Sequence, residues 1–242
     1  MKRRNFSQAA VLAATASWAV PVAVQAQQPG QLVAGRDYQV VDPRAPVDAP
    51  QGKIEVVEFF WYSCPHCNAF EPLLDEWVRK LPKDVAFRRV PVAFRDDFVP
   101  QQRLYYALEA MGLVDKLHAK VFQAIHGPGS QAKAQTGGAV QSSKLSTAAM
   151  IGPWIASQGV NEAQFMAHYN SFSVSTKASR AAQLQDAYRI EGVPALGVAG
   201  RFLTDGTMAP SNVQAPDGRQ TPTMHGALRV VDALVAAVRA GR

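Results

Sequence analysis

The sequence predicts an α/β fold in which a strand–helix–strand unit and a strand–strand–helix unit bracket an inserted block of helices. Three observations predict it. Apolar residues run almost continuously through 53–61, a second strand candidate lies at 85–92, and the stretch between them has helical spacing. Helical spacing then dominates from 101 to 190, and short β-rich runs return at 194–204 before a last amphipathic helix. At the junction of the first strand and first helix stand the chain's two cysteines, Cys64 and Cys67.

The first 26 residues read as an export signal. Lys2, Arg3 and Arg4 form a charged start, an apolar stretch follows, and Val24-Gln25-Ala26 offers the small residues of a cleavage site. Whether the adjacent arginines mark ordinary or twin-arginine export, the destination is outside the cytoplasm, and we expect the periplasm. Residues 27–52, rich in Pro, Asp, Gln and Gly, form a leader with a short strand at 38–41.

Residues 53–61 (KIEVVEFFW) predict a buried strand. Pro65 suits the first turn of a helix, where its missing N–H costs nothing. Phe70, Leu73, Leu74, Trp77, Val78 and Leu81 carry that helix to about residue 80, with a kink expected at Pro72. Residues 85–92 predict a second strand, parallel to the first, that ends or lies at an edge because of Pro91. Amphipathic helices follow at 101–111 and 113–126, a Gly/Ser-rich loop at 127–143, and helices at 153–158, 162–170 (capped by Asn161) and 176–190. A hairpin is expected at 194–198 and 201–204, a polar loop at 205–222, and a final helix at 224–240. This divides the chain into a signal (1–26), a first core part (27–96), a helical subdomain (97–175) and a second core part (176–242).

The full chain carries 25 basic and 19 acidic residues, a formal +6. Without residues 1–26 the excess falls to +3, and it is scattered without aromatic interleaving, which argues against nucleic-acid binding. Two cysteines three positions apart make a poor structural staple, because so small a loop gains little from closure. They make sense as chemistry. A helix start directs unpaired N–H groups and positive potential at Cys64, and His66 can add a donor or charge, so the Cys64 thiolate should be favoured. Cys67, one turn in, should be more buried and hold its proton longer. Cys64 then attacks and Cys67 resolves; a stabilised thiolate stabilises the reduced form, which makes the disulfide oxidising. A zinc site is disfavoured, since there is no second cysteine pair and the histidines at 118, 126, 168 and 225 lack ligand spacing. Trp61 and Tyr62 serve either as the rim of the site or as strand-end packing.

VEFFWYSCPHC at 57–67, Phe70-Glu71, and Gly192-Val193-Pro194-Ala195 resemble the DsbA-type disulfide oxidoreductases of the thioredoxin superfamily, over about residues 37–238. The resemblance implies a thioredoxin-like fold with an inserted helical subdomain. It implies a redox-active Cys64–Cys67 disulfide, with Pro65 and His66 setting its character, and no bound cofactor or metal. It also implies a cis bond before Pro194, with Val193 and Pro194 facing substrate. Glu58 and Glu71 match two family acids near the buried cysteine, and Arg89 falls where a basic partner is expected. Sequence alone would make Glu71 a solvated helix acid, whereas Glu58 in an apolar strand needs a partner or a proton. The implied activity is that of a monomeric periplasmic dithiol oxidase acting on reduced exported proteins and reoxidised by a DsbB-like membrane partner. The alternatives are a disulfide isomerase or reductase, for which the short segment 27–52 between the signal and the first core strand leaves no room for a dimerisation domain, and a non-catalytic periplasmic chaperone. The loops at 127–143 and 205–222 look longer than the family's, and Pro153 interrupts what is commonly a helix.

Overall fold

The computed structural model describes residues 32–127, 144–208, 210–214 and 220–242. The expected signal at 1–26 and nearly all of the expected loop at 127–143 lie outside the described residues. A five-stranded mixed sheet organises the chain, in the order β1–β5–β4–β2–β3. Its strands are β1 (Gln39–Val40), β2 (Ile54–Phe60), β3 (Val85–Pro91), β4 (Ala195–Val198) and β5 (Phe202–Asp205). β2 lies inside the sheet, between β4 and β3, and is buried from Glu55 onward, as its continuous apolar run predicts. β3 runs parallel to it at the edge, where the proline at its end breaks no ladder. Their register places Glu58 opposite Arg89. β4 pairs antiparallel on the other side of β2.

Helix α1 (Pro65–Val78) follows β2, and α2 (Val99–Ala110) and α3 (Val114–His126) follow β3. The rest of the inserted block is α4 (Ala148–Ser157), α5 (Glu162–Tyr169) and α6 (Phe172–Tyr188), and α7 (Met224–Arg239) closes the chain. Side-chain alternation gives the sheet two working faces. Val56, Leu196 and Val198 pack beneath α1 and α7 with Phe70, Leu74, Leu228 and Val231. Val57 and Phe59 join a second cluster that reaches through Leu104, Leu108 and Tyr188 into the helical block. Gly197 lets Tyr188 lie flat on β4, since a Cβ there would sit 2.5 Å from the ring. The β4–β5 turn, Ala199-Gly200, has φ of +54° and +68°, the left-handed pair that a two-residue hairpin needs. No helix among the described residues is long and apolar enough to cross a membrane.

Three expectations need correction. The helix expected to open at Pro153 begins at Ala148, capped by Thr147, and continues through Pro153. Ile151 and Ile155, one turn apart and both buried, outweigh the missing N–H. The helix expected from residue 176 starts at Phe172 under a Ser171 cap; Phe172 is 87% exposed, so apolar spacing gives no sign of that first turn. The polar stretch 205–222 contains an antiparallel ribbon, Pro210–Gln214 with Gln220–Pro222 (β6 and β7), whose prolines and short length hide its strand character. The Asn161 cap of α5 is found as expected, accepting from Gln164 N at 2.9 Å.

Candidate active site

β2 ends at Phe60, and a tight turn (Cys64 N to Trp61 O, 3.0 Å) brings the chain into α1. Cys64 is the N-cap, and its Sγ accepts from the Cys67 backbone N–H at 3.4 Å. Pro65 occupies the first helical position. Both cysteines are free thiols here, Cys64 7% exposed and Cys67 wholly buried. Cys64 is held below the usual thiol range, first by the hydrogen bond from the Cys67 side chain, against burial, and then by the backbone N–H groups of Cys67 and His66. The His66 residue itself is exposed. Cys67 is pushed well above the usual range by burial first, then by donating to Cys64 and by the negative charges of Cys64 and Glu58. One thiol is thus poised as an anion and the other as an acid.

Across the site the Val193–Pro194 bond is cis. The Val193 carbonyl accepts from Cys64 Sγ at 3.4 Å. Asp42–Pro43 is also cis, without any sign of it in the sequence.

Behind the cysteines lies a buried charged cluster. Glu58 Oε2 is 3.2 Å from Arg89 Nε, and Arg89 also holds Glu71 at 2.7 Å. Glu71 is only 5% exposed and so is no solvated acid. Burial raises Glu58 to about 8; Arg89 opposes this, and the charges of Glu71 and Cys64 add to it. For Glu71 burial also acts upward, but attraction to His118 when that ring carries its proton, and to Arg89, leaves it below the usual carboxylate range. Arg89 stays charged: burial opposes its charge, but the two carboxylates outweigh it.

The helical block supplies residues that sequence reasoning passed over. Gln101 accepts from Ser63 N at 3.1 Å and donates to Ser63 Oγ at 2.7 Å. His126 Nε2 lies 2.8 Å from the Tyr62 carbonyl, and the Tyr62 hydroxyl lies 2.7 Å from His118 Nδ1. The two residues before Cys64 are therefore tied to α2 and α3. A signal for these was present: Gln101 precedes Leu104 and Leu108 by three and seven positions, and His118 precedes Phe122 and Ile125 by four and seven, so both are polar residues on an apolar stripe. Tyr62 is buried and belongs to this packing. Trp61 is half-buried and stacks on Phe98 (ring centroids 3.8 Å apart), with Phe94 edge-on beyond it. Among the described residues no group of three His, Cys, Asp or Glu is placed to hold a metal ion.

These features define a thioredoxin-like protein with an inserted helical subdomain. Comparison with known proteins narrows the class. No protein-family model matches the chain. The thiol:disulfide interchange protein DsbA of Burkholderia cepacia is 42% identical over 176 residues, covering 73% of this chain and 77% of that protein. Its counterpart from Bordetella parapertussis is 40% identical over 227 residues, covering 94% and 92%. The crystal structure of Pseudomonas aeruginosa DsbA superposes with a TM-score of 0.71 at 34% identity, covering 87% of this chain and 96% of that one. The chain belongs to the DsbA family of thiol:disulfide interchange proteins.

Proposed function

We propose that this protein is a periplasmic dithiol oxidase that donates a Cys64–Cys67 disulfide to newly exported proteins. The observation that carries the reading is the asymmetry of the pair, with Cys64 favoured as a thiolate at the helix start and Cys67 buried as a thiol below it. A substrate thiolate attacks Cys64 Sγ, the intramolecular S–S bond breaks, and Cys67 leaves as a thiolate that takes up one proton. A second substrate thiolate then attacks the substrate sulfur of the mixed disulfide, and Cys64 leaves as the stabilised thiolate. The substrate loses two electrons and the cysteine pair gains them. The Val193 carbonyl beside Cys64 supports a role for Val193 and Pro194 in pairing with an extended substrate backbone. Pro65 and His66 complete the pair's immediate surroundings, and Glu58, Glu71 and Arg89 supply the proton balance at Cys67. The cycle needs no cofactor; a DsbB-like membrane partner takes up the electrons, and one chain suffices as a monomer.

The test is oxidation of a reduced two-cysteine peptide by the preoxidised protein. Cys67→Ser, offered a one-cysteine peptide as its glutathione disulfide, should exchange to a stable peptide adduct at Cys64 with release of glutathione, and Cys64→Ser should be inactive. A Cys64→Ser protein that oxidises the peptide at the wild-type rate would sink the assignment.

A further inference from the structure

Helix α2 carries two adjacent glutamines in its first turn that are almost wholly buried, Gln101 at 1% exposure and Gln102 at 2%. Glutamine is ordinarily a surface residue, so each needs a reason to be inside. Gln102 has a structural one: its Nε2 donates to the Pro91 carbonyl at 2.9 Å and ties α2 to the end of β3. Gln101 reaches a different place. Its Oε1 accepts from the Ser63 backbone N–H, and its Nε2 donates to Ser63 Oγ and, at 3.2 Å, to the Lys144 carbonyl. The amide oxygen and both amide hydrogens are in use, and turning the group over would set NH2 against the Ser63 N–H. Leu145, the residue after Lys144, is buried in the same apolar cluster as Cys64 and anchors the far side of this clamp. We propose that Gln101 is a positioning residue for disulfide exchange: by clamping Ser63 it holds the next residue, Cys64, where the first turn of α1 steadies the sulfur as it leaves.

Gln101 bonds to Ser63 and not to the sulfur, so the clamp bears on the reaction only if Cys64 and Cys67 are the redox pair. Cys64 is the N-cap of α1, and its Sγ accepts from the Cys67 N–H at 3.4 Å. An N–H group stabilises an anion only while it points at it. A small rotation of the chain entering the helix therefore weakens the thiolate, while the disulfide form, which carries no charge on sulfur, loses little. The turn has two other holds on either side of Ser63. The Cys64 N–H donates to the Trp61 carbonyl at 3.0 Å, and His126 Nε2 lies 2.8 Å from the Tyr62 carbonyl. Loss of Gln101 leaves these in place, so the turn survives but the Ser63–Cys64 link is free to shift.

Gln101→Met keeps the length and helix propensity of the side chain and removes the clamp. Gln102→Met is its control, since it removes an equally buried amide of the same helical turn that ends on β3 instead. Both should lower the urea midpoint. Only Gln101→Met should raise the pH at which iodoacetamide alkylates Cys64 at half its maximal rate. Only Gln101→Met should also move the equilibrium with glutathione toward the disulfide form of the protein. At neutral pH that move should be about three- to tenfold, the equivalent of one ordinary hydrogen bond to the sulfur. It should vanish at acid pH below the Cys64 titration, where the reduced sulfur carries its proton in either protein. Gln101→Asn, one methylene too short to span Ser63 and Lys144, should shift both readings the same way and serves if the methionine variant does not fold. A Gln101 variant with the wild-type alkylation profile and equilibrium constant, or a Gln102→Met protein that moves as far, would overturn the clamp alone. A wild-type Cys64 that titrates like an ordinary thiol, near about 8.5, would overturn the oxidising pair and the clamp together.

Discussion

Replacing Glu58 with glutamine should stabilise the reduced protein near neutral pH, by an amount that grows as pH rises. Glu58 sits in the interior strand β2 with its carboxyl raised to about 8 from an ordinary 4.5, mainly by burial. The folded state therefore binds a proton that the unfolded chain releases. The associated stability is complete below pH 4.5 and is lost as pH rises toward 8. From pH 4.5 to 7 the loss spans two and a half pH units at about 1.36 kcal/mol each, or roughly 3 kcal/mol. Glutamine matches the protonated carboxyl in shape and carries no such proton. Arg89 keeps Glu71 as its partner, so the substitution leaves no unpaired buried cation. Thermal melts of the reduced wild-type and E58Q proteins should diverge between pH 4.5 and 7, the variant gaining about 6–12 °C relative to wild type. A constant gap, or a gap that closes toward pH 7, would mean that Glu58 is an ionised partner of Arg89 and would refute the reasoning.

Other consequences follow from the same geometry. Iodoacetamide should modify Cys64 with a half-maximal rate below the ordinary thiol value of about 8.5, while Cys67 stays unmodified until the protein unfolds; equal reactivity of the two would contradict the assigned roles. Gln101→Leu removes both hydrogen bonds between Gln101 and Ser63 and should cost about 1–3 kcal/mol in urea unfolding, with a measurable shift in the Cys64 alkylation profile. Gly197→Ala drives a methyl into the Tyr188 ring and should lower stability by about 1–3 kcal/mol in the same assay, with little change in Cys64 reactivity.

Much of this arrangement is legible in the sequence because the signals are local. The run through 54–60, the proline after Cys64, and the apolar stripe of α1 each declare an element from its own residues. The Glu58–Arg89 contact is one step further, since a parallel register had to bring residue 89 opposite residue 58. The rest depends on distant packing. Gln101, His118 and His126 act on Tyr62 and Ser63 across 38 to 64 positions of chain, which no spacing rule reaches. Glu71 reads as a surface acid until α3 is laid over α1. The first turns of α4 and α6 were hidden because their starts depend on the side-chain caps Thr147 and Ser171 rather than on apolar period.

The central claim is that Cys64, stabilised as a thiolate at the start of α1, makes this an oxidising centre. It is tested most directly by melting the oxidised and reduced forms side by side at neutral pH. A stabilised thiolate favours the reduced state, so the reduced form should melt at the higher temperature. A higher melting temperature for the oxidised form would contradict the account.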